Sequence, residues 1–264
     1  MVSSDAEVAI AAAGAGAEVL RQWYGSSFGR HPKVGNDFAT DADIDAELAV
    51  RENVRTARPN DGFVGEELGA SAPADRTWLV DPLCGTLNFA AQTPLMAVNV
   101  ALRTGATVTA AASADPLAGE VFWTDGDTAW VRNDQIDAPL APSAESALVD
   151  LNLDAPPGQA HQLTTVQMLS SPAFARQFGP RVVSTTLAVA WVAAGRRAAY
   201  VTEGDLRDSV HFAAGIALCQ AAGCIVTGLH GQPLHTGVGG LVAAADQDTH
   251  TALIRIIEQV ILPT

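Results

Sequence analysis

The chain has 264 residues, of which 48% are hydrophobic and 17% are charged. This composition suffices for a large core, in one domain or two tightly joined halves, and argues against disorder. The net charge is −14, and Lys33 is the only lysine. Such an acidic surface argues against nucleic acid or an anionic membrane as a partner. It would also repel a phosphorylated substrate, unless metal ions or a local arginine cluster offset the charge.

The sequence shows neither a signal peptide nor a membrane span. Residues 9–17 are apolar, but Asp5 and Glu7 precede them, where a signal peptide would need basic residues. No apolar stretch reaches the roughly 20 residues that cross a bilayer. The three cysteines are an odd number in a long chain, which is typical of a reducing compartment. We therefore expect a cytoplasmic protein without a disulfide framework.

Helical patterns begin near the start of the chain. Residues 5–24 are alanine-rich with apolar side chains at helical spacing, and Ser3 or Ser4 is placed to cap them. Residues 41–55 mix acids with apolar residues one turn apart, which predicts a second amphipathic helix. Further helices are predicted over residues 187–195, 209–222 and 248–262, and in a segment after residue 153 that ends near residue 177.

Strand patterns lie between these helices, and residues 25–36 are predicted to form a loop. A buried strand is predicted to end at Asp81, and a hairpin to turn around Asp125 and Gly126. Strands are predicted over residues 63–65, 78–80, 97–103, 106–114, 119–123, 128–132, 148–153, 198–202, 224–227 and 240–244.

The polar, proline-containing stretch 133–147 indicates a boundary between two parts of the chain. We predict an N-terminal half, residues 1–140, and a C-terminal half, residues 141–264. Strands and helices mixed in this way predict an α+β fold built from alternating layers.

Four short stretches carry the side chains that a catalytic site needs. They are Asp37-Phe38-Ala39-Thr40-Asp41-Ala42-Asp43, Gly65-Glu66-Glu67, Asp81-Pro82-Leu83-Cys84-Gly85-Thr86 and Val210-His211-Phe212-Ala213-Ala214-Gly215. In order and spacing they resemble the DxVTxxD, GEE, DPxDGT and WDxAAG motifs of the inositol monophosphatase family. The resemblance covers nearly the whole chain. It implies a five-layer αβαβα sandwich and, as in relatives, a homodimer.

The resemblance also implies a magnesium site. Clustered carboxylates repel one another unless cations lie between them, and Mg²⁺ can bridge a phosphate and lower the pKa of a bound water. By resemblance, Glu66, Asp81 and the backbone carbonyl of Leu83 would hold a first ion. Thr86, with Glu66 or Asp43, would orient the attacking water.

Substrate contacts are implied at two places. Gly85 and Thr86 lie where the family's backbone amides meet phosphate, at a helix N-terminus suited to anions. In the C-terminal half, Ser184 lies in a segment that replaces the family's glycine-led one. Arg207 could bind a phosphate or carboxylate of the substrate, or it could form a surface ion pair with Asp205 or Asp208.

The second metal position departs from the family, which places three aspartates there. This chain has Asp81, Cys84 and His211, and a thiol is a poor ligand for Mg²⁺. Three interpretations stay open: a softer ion such as Zn²⁺ binds there, the thiol and imidazole form a nucleophilic dyad, or the second ion is lost. Asp208, about one helical turn before His211, is a further candidate ligand.

The leading prediction is a metal-dependent phosphomonoesterase that acts on a small phosphorylated alcohol of the sugar, inositol or histidinol phosphate type. One alternative is a repurposed biosynthetic enzyme that uses Cys84 and His211 for covalent or acid–base chemistry. Another is a non-catalytic binding homologue. The fold cannot choose among them, since function depends on the site.

Overall fold

A computed structural model describes residues 3–33, 37–71, 74–154 and 164–261. The chain divides into two compact units. The first consists of Met1–Pro139, Thr185–Leu187 and Asp208–Ala221, and the second of Leu140–Ser184, Ala188–Arg207 and Ala222–Thr264. The predicted division at residue 140 places every later residue in the second half. Contacts instead assign two late segments, one of which carries His211, to the first unit.

The helices are α1 (Asp5–Trp23), α2 (Asp41–Ala57), α3 (Thr86–Ala90), α4 (Thr164–Leu169), α5 (Pro172–Gln177), α6 (Leu187–Ala193), α7 (Ala213–Ala222) and α8 (Gln247–Ile261). The strands are β1 (Arg30–Pro32), β2 (Phe38–Thr40), β3 (Gly62–Gly65), β4 (Gly69–Ala70), β5 (Arg76–Cys84), β6 (Ala97–Thr104), β7 (Thr107–Ala114), β8 (Val121–Thr124), β9 (Ala129–Asn133), β10 (Ile136–Pro139), β11 (Leu148–Leu151), β12 (Gly179–Val182), β13 (Ala199–Thr202), β14 (Ile225–Thr227) and β15 (Leu241–Ala244).

The first unit is built on one sheet of order β10-β9-β8-β7-β6-β5-β3-β4. Only the β3–β5 pair is parallel among its described pairs. Successive side chains of a strand point to opposite faces. Trp78 and Val80 therefore pack in the core with α1 and α2, while Leu79 packs with Ala214 and Ala217 of α7. The sheet is thus covered by helices on both faces.

Local capping sets the start of α1 and α2, as an N-cap oxygen satisfies an otherwise unpaired backbone donor. Ser4 accepts a hydrogen bond from the Glu7 amide, which confirms one of the two predicted caps of α1. Thr40 and Asp43 form a capping box at the start of α2. Asp43 is therefore held at the first turn of a helix that packs on the sheet.

Strand β5 does not stop at Asp81, as predicted, but continues to Cys84. Asp81 is paired with Asn99 and Cys84 with Ala97, so the register shifts by one residue between them. Two residues three positions apart on a regular strand face opposite ways, and one extra residue in a bulge reverses this. The bulge therefore turns Asp81 and Cys84 toward the same face.

The second unit has a sheet of order β12-β11-β13-β15-β14, in which β11 is parallel to both β12 and β13. Its core joins Val149 and Leu151 of β11 with Met168, Phe174 and Leu253, which belong to α4, α5 and α8. The helical segment predicted up to residue 177 is two short helices, and residues 155–163 lie outside the described ranges.

Other sequence predictions need correction. The predicted loop 25–36 contains β1, which pairs with β2, although residues 34–36 are not described. The predicted boundary 133–147 contains β10, and β12 was not predicted. The helix predicted from residue 209 begins at Ala213.

Candidate active site

The parallel pair β3 and β5 brings two acidic motifs together. Gly65 is the register partner of Val80, and the Glu66 amide donates to the Val80 carbonyl over 3.1 Å. Because the two strands are parallel, the residues that follow this register pair, Glu66 and Asp81, are neighbours. The Asp81 side chain is fully buried, and that of Glu66 is 21% exposed.

A buried carboxylate under the strand end holds the backbone beside Glu66. Glu47 of α2 accepts hydrogen bonds from the amides of Glu67, at 2.7 Å, and Leu68, at 2.9 Å. A Cβ on Gly65 would lie only 1.9 Å from Glu47 Oε1. A glycine is therefore needed at residue 65 for this carboxylate to reach the turn that carries Glu66.

Asp43 is joined to Thr86 across the site. Its Oδ2 accepts from the amide of Thr40 at 2.7 Å, and its Oδ1 accepts from Thr86 Oγ1 at 3.0 Å. The Thr86 hydroxyl also lies 3.2 Å from the Leu83 carbonyl oxygen. These contacts bring Asp43, Leu83 and Thr86 into one cluster.

Burial is the main cause of raised pKa values at two carboxylates of the site. Burial raises the pKa of Asp43 to about 6. Burial and, after it, the charge of Asp81 raise the pKa of Glu66 to about 8. Both groups therefore bind protons more tightly than free carboxylates do, because desolvation and like charge penalise the ionised form.

Lys33 supplies a positive charge that the sequence did not predict at this site. Its Nζ lies 2.8 Å from Glu66 Oε1 and 2.6 Å from Glu67 Oε1. Burial lowers the pKa of Lys33, but the two carboxylates raise it more, so the pKa lies above its usual value. The ammonium therefore offsets part of the negative charge at the site.

The three side chains predicted for a second metal position lie together in the structure. One ligand atom each of Asp81, Cys84 and His211 lies within 4.8 Å of the others. His211 Nδ1 is 2.7 Å from Asp81 Oδ2 and 3.8 Å from Glu66 Oε2. Cys84 Sγ accepts from the amide of Thr186 at 3.3 Å and from its hydroxyl at 3.0 Å.

These contacts move the three pKa values in different directions. Burial, followed by the charge of Asp81, raises the pKa of the Cys84 thiol to about 11. Burial lowers the pKa of His211, but Asp81 outweighs burial, so the pKa lies well above its usual value. Burial raises the pKa of Asp81, yet His211 brings the net value below the usual range. Asp81 and His211 therefore form an ion pair, and Cys84 beside them keeps its proton.

Asp208 does not join these residues. It has a left-handed backbone conformation, with φ of 54°, and it forms an ion pair with Arg103 at 2.8 Å. Its predicted place one helical turn before His211 is wrong, since α7 begins only at Ala213.

Ser184 and Arg207 belong to the second unit. Ser184 donates a hydrogen bond to Asp154. The Arg207 guanidinium donates to the His235 carbonyl, and the Arg207 amide donates to Asp205 Oδ1 at 3.0 Å. The described guanidinium contact is thus to a backbone carbonyl, and the predicted substrate contact of Arg207 stays a prediction.

Comparisons with known proteins agree with this geometry. A sequence model of the inositol monophosphatase family matches residues 1–262. The inositol-1-monophosphatase of Caulobacter vibrioides is 33% identical over 226 residues, which cover 83% of this chain and 86% of the relative. The Nus factor SuhB of Escherichia coli is 30% identical over 220 residues, which cover 80% and 79% of the two chains.

A solved structure of the extragenic suppressor protein SuhB from Bartonella henselae superposes with a TM-score of 0.83 at 26% identity, and 96% of this chain and 98% of that chain are covered. The fold is thus of a phosphatase type. The chain belongs to the inositol monophosphatase family, and the predicted α+β fold class is confirmed. Among the described residues, no helix is long and apolar enough to cross a membrane.

Proposed function

We propose that this protein is a metal-dependent phosphomonoesterase that acts on a small phosphorylated alcohol of the sugar, inositol or histidinol phosphate type. One observation carries the proposal. Glu66 and Asp81 each follow one residue of the register pair Gly65–Val80, beside a cluster in which Thr86 contacts both Asp43 and the Leu83 carbonyl. Family membership supports a phosphatase-type activity.

The first metal position fits Mg²⁺ by its donor chemistry. Glu66, Asp81 and the Leu83 carbonyl would supply oxygen atoms only, and oxygen is the ligand type that Mg²⁺ prefers. The raised pKa of Glu66, about 8, reflects burial beside a second carboxylate, and a cation there would favour the ionised form. Bound Mg²⁺ supplies charge stabilisation at a phosphate and lowers the pKa of a bound water.

The chain's own residues orient the reactants. The Thr86 hydroxyl donates its proton toward Asp43 Oδ1, which leaves the hydroxyl oxygen as an acceptor for a water molecule. Asp43 is held in turn by Thr40. Gly85 has a left-handed conformation, with φ of 113°, and a Cβ there would lie 2.6 Å from the Leu95 carbonyl oxygen. We propose that this glycine allows the backbone amides of Gly85 and Thr86 to approach the phosphate.

Hydrolysis of a panel of sugar, inositol and histidinol phosphates with Mg²⁺ tests the proposal. Glu66→Gln should abolish turnover, because it removes a carboxylate ligand. Glu52→Gln is a matched control, since Glu52 is exposed and pairs only with its helix neighbours Arg55 and Thr56 among the described contacts. A folded wild-type protein that hydrolyses no member of the panel would contradict the proposal.

The thiol chemistry considered for Cys84 gains less support. A nucleophilic cysteine needs a lowered pKa, whereas burial and Asp81 raise the pKa of Cys84 to about 11. A repurposed enzyme predicts selective alkylation of Cys84 near neutral pH. Resistance of this thiol to alkylation, compared with the unfolded chain, is the result that we expect.

A non-catalytic binding protein is the second candidate function. It is favoured by the second metal position, where Cys84 and His211 replace two of the family's aspartates, and by relatives that carry the name Nus factor SuhB. It predicts that a phosphorylated ligand raises the unfolding temperature but is not hydrolysed. Homodimerisation and a cytoplasmic location stay predictions from the sequence.

A further inference from the structure

The second metal position does not fit the ion that the family implies. Mg²⁺ prefers oxygen ligands in octahedral geometry, whereas this position offers one thiol, one imidazole and one carboxylate. Thiolate and imidazole are ligands of Zn²⁺, which also accepts carboxylate oxygen. The donor atoms all lie within 4.8 Å of one another, although Asp81 and Cys84 are three residues apart on a strand.

We propose that Asp81, Cys84 and His211 bind Zn²⁺, or a chemically similar divalent cation such as Co²⁺, with one coordination position left for water or a phosphate oxygen. Three protein ligands with an open fourth position are typical of catalytic zinc sites. Binding releases two protons to solvent, one from the Cys84 thiol and one from the His211 imidazolium, since a coordinating thiol is deprotonated and a coordinating imidazole is neutral. The inference deepens the proposed function, because Asp81 belongs to both metal positions.

A buried hydrogen-bond relay behind Cys84 supplies independent support. Ser113 Oγ donates to Asn99 Oδ1 at 2.8 Å, and Asn99 Nδ2 donates to Thr186 Oγ1 at 2.7 Å. The Thr186 hydroxyl therefore accepts from Asn99 and donates its own proton to Cys84 Sγ, at 3.0 Å. Together with the Thr186 amide, two donors point at the sulfur.

Two hydrogen bonds donated to Cys84 Sγ favour a sulfur that binds a metal as a thiolate. Hydrogen bonds from donors stabilise the negative charge of a thiolate, and partners behind the ligands orient them and tune metal affinity. Asn99 and Ser113 are both fully buried, and Asn99 is the register partner of Asp81. The relay is thus built into the same strands that place the ligands.

Cobalt binding to the intact, metal-free protein tests the inference without measuring turnover. We expect a thiolate-to-cobalt charge-transfer band in the near ultraviolet, and competition with a zinc indicator gives the Zn²⁺ affinity. Cys84→Ser should lose the band and bind Zn²⁺ about 100-fold more weakly. Cys224→Ser is the control and should retain both, since Cys224 lies in the second unit.

A matched pair at residue 186 tests the relay. Thr186→Val removes the hydroxyl and should weaken Zn²⁺ binding about 10-fold, whereas Thr186→Ser keeps the donor and should bind like the wild type. A wild-type protein without the cobalt band, or a Cys84→Ser variant with unchanged zinc affinity, would overturn the inference. The wild-type spectrum decides even if the Cys84 variant does not fold.

The two proposals can fail separately. Glu66→Gln should abolish hydrolysis but keep the cobalt band, because Glu66 is a ligand of the first position only. A cobalt band without hydrolysis would refute the phosphatase and support the zinc site. Mg²⁺-dependent hydrolysis without the cobalt band would support the phosphatase and refute the zinc site.

Discussion

Replacing Gly65 with alanine adds only one methyl group but should destabilise the protein strongly. The new Cβ would lie 1.9 Å from Glu47 Oε1 and 2.3 Å from the carboxyl carbon, so the buried carboxylate must move. Glu47 would then lose its hydrogen bonds to the amides of Glu67 and Leu68. A hydrogen bond to a charged group contributes about 1.5–3 kcal/mol. We therefore expect Gly65→Ala to lower the free energy of unfolding by about 4 kcal/mol.

Urea unfolding, followed by circular dichroism in the presence of a chelator, measures this loss. Gly14→Ala is the matched control, because a Cβ at this position in α1 meets nothing within 4 Å. Alanine is the better helix former, so the control should gain about 1 kcal/mol. The contrast separates the clash with Glu47 from the general effect of changing glycine to alanine.

A double-mutant cycle identifies the cause. In a Glu47→Ala background the clash is absent, so Gly65→Ala should cost less than about 1 kcal/mol there. Additive costs for the two changes, or a single Gly65→Ala variant as stable as the wild type, would refute the reasoning. Intermediate values would indicate that the carboxylate relaxes without losing both amide contacts.

Three further predictions concern the charges of the site. Lys33→Met should lower the free energy of unfolding of the metal-free protein by about 2 kcal/mol, because half-buried ion pairs contribute more than exposed pairs and less than buried ones. The same change should strengthen Mg²⁺ binding in calorimetry, because it removes a competing cation. The pKa of Asp43 is raised from 3.8 to about 6 in the folded protein. The folded state therefore binds this proton more tightly than the unfolded state, and the free energy of unfolding falls as pH rises from about 4 to about 6. An asparagine at residue 43 does not titrate. Between about pH 4 and pH 6, the free energy of unfolding measured with urea should therefore fall by about 3 kcal/mol less in Asp43→Asn than in the wild type. The double variant Cys84→Asp with His211→Asp should hydrolyse phosphate esters faster with Mg²⁺ than the wild type, since it restores oxygen ligands, and an unchanged rate would contradict this.

Much of the first unit could be predicted from periodicity and caps. Helix α1 begins where its serine cap and alanine-rich pattern indicated, and α2 begins directly after Thr40. These features depend on neighbours within one or two turns. Strand β5 was predicted to end three residues too early, because a bulge depends on the register with β6 and leaves no periodic signal in its own strand.

The missed site residues show what long-range contacts add. Lys33 had a signal, as the only lysine in a chain of net charge −14, but nothing in the sequence indicated that it reaches Glu66 and Glu67. Glu47 lies four residues after Asp43 and so on the same face of α2, which could have indicated its burial. Thr186 reaches Cys84 across 102 positions of the chain, a pairing that only the fold provides.

At the bulge between Asp81 and Cys84, the backbone sets where the side chain of residue 84 points, and the residue type sets which ligand atom it carries. The direction of side chain 84 comes from the extra residue in β5 and from the pairing of Cys84 with Ala97, not from which atom the side chain carries. A single substitution at residue 84 can therefore exchange oxygen for sulfur without rebuilding the strand. A relative with the same bulge could in this way change one ligand atom of this site by a single amino-acid substitution, while its sheet stays as it was.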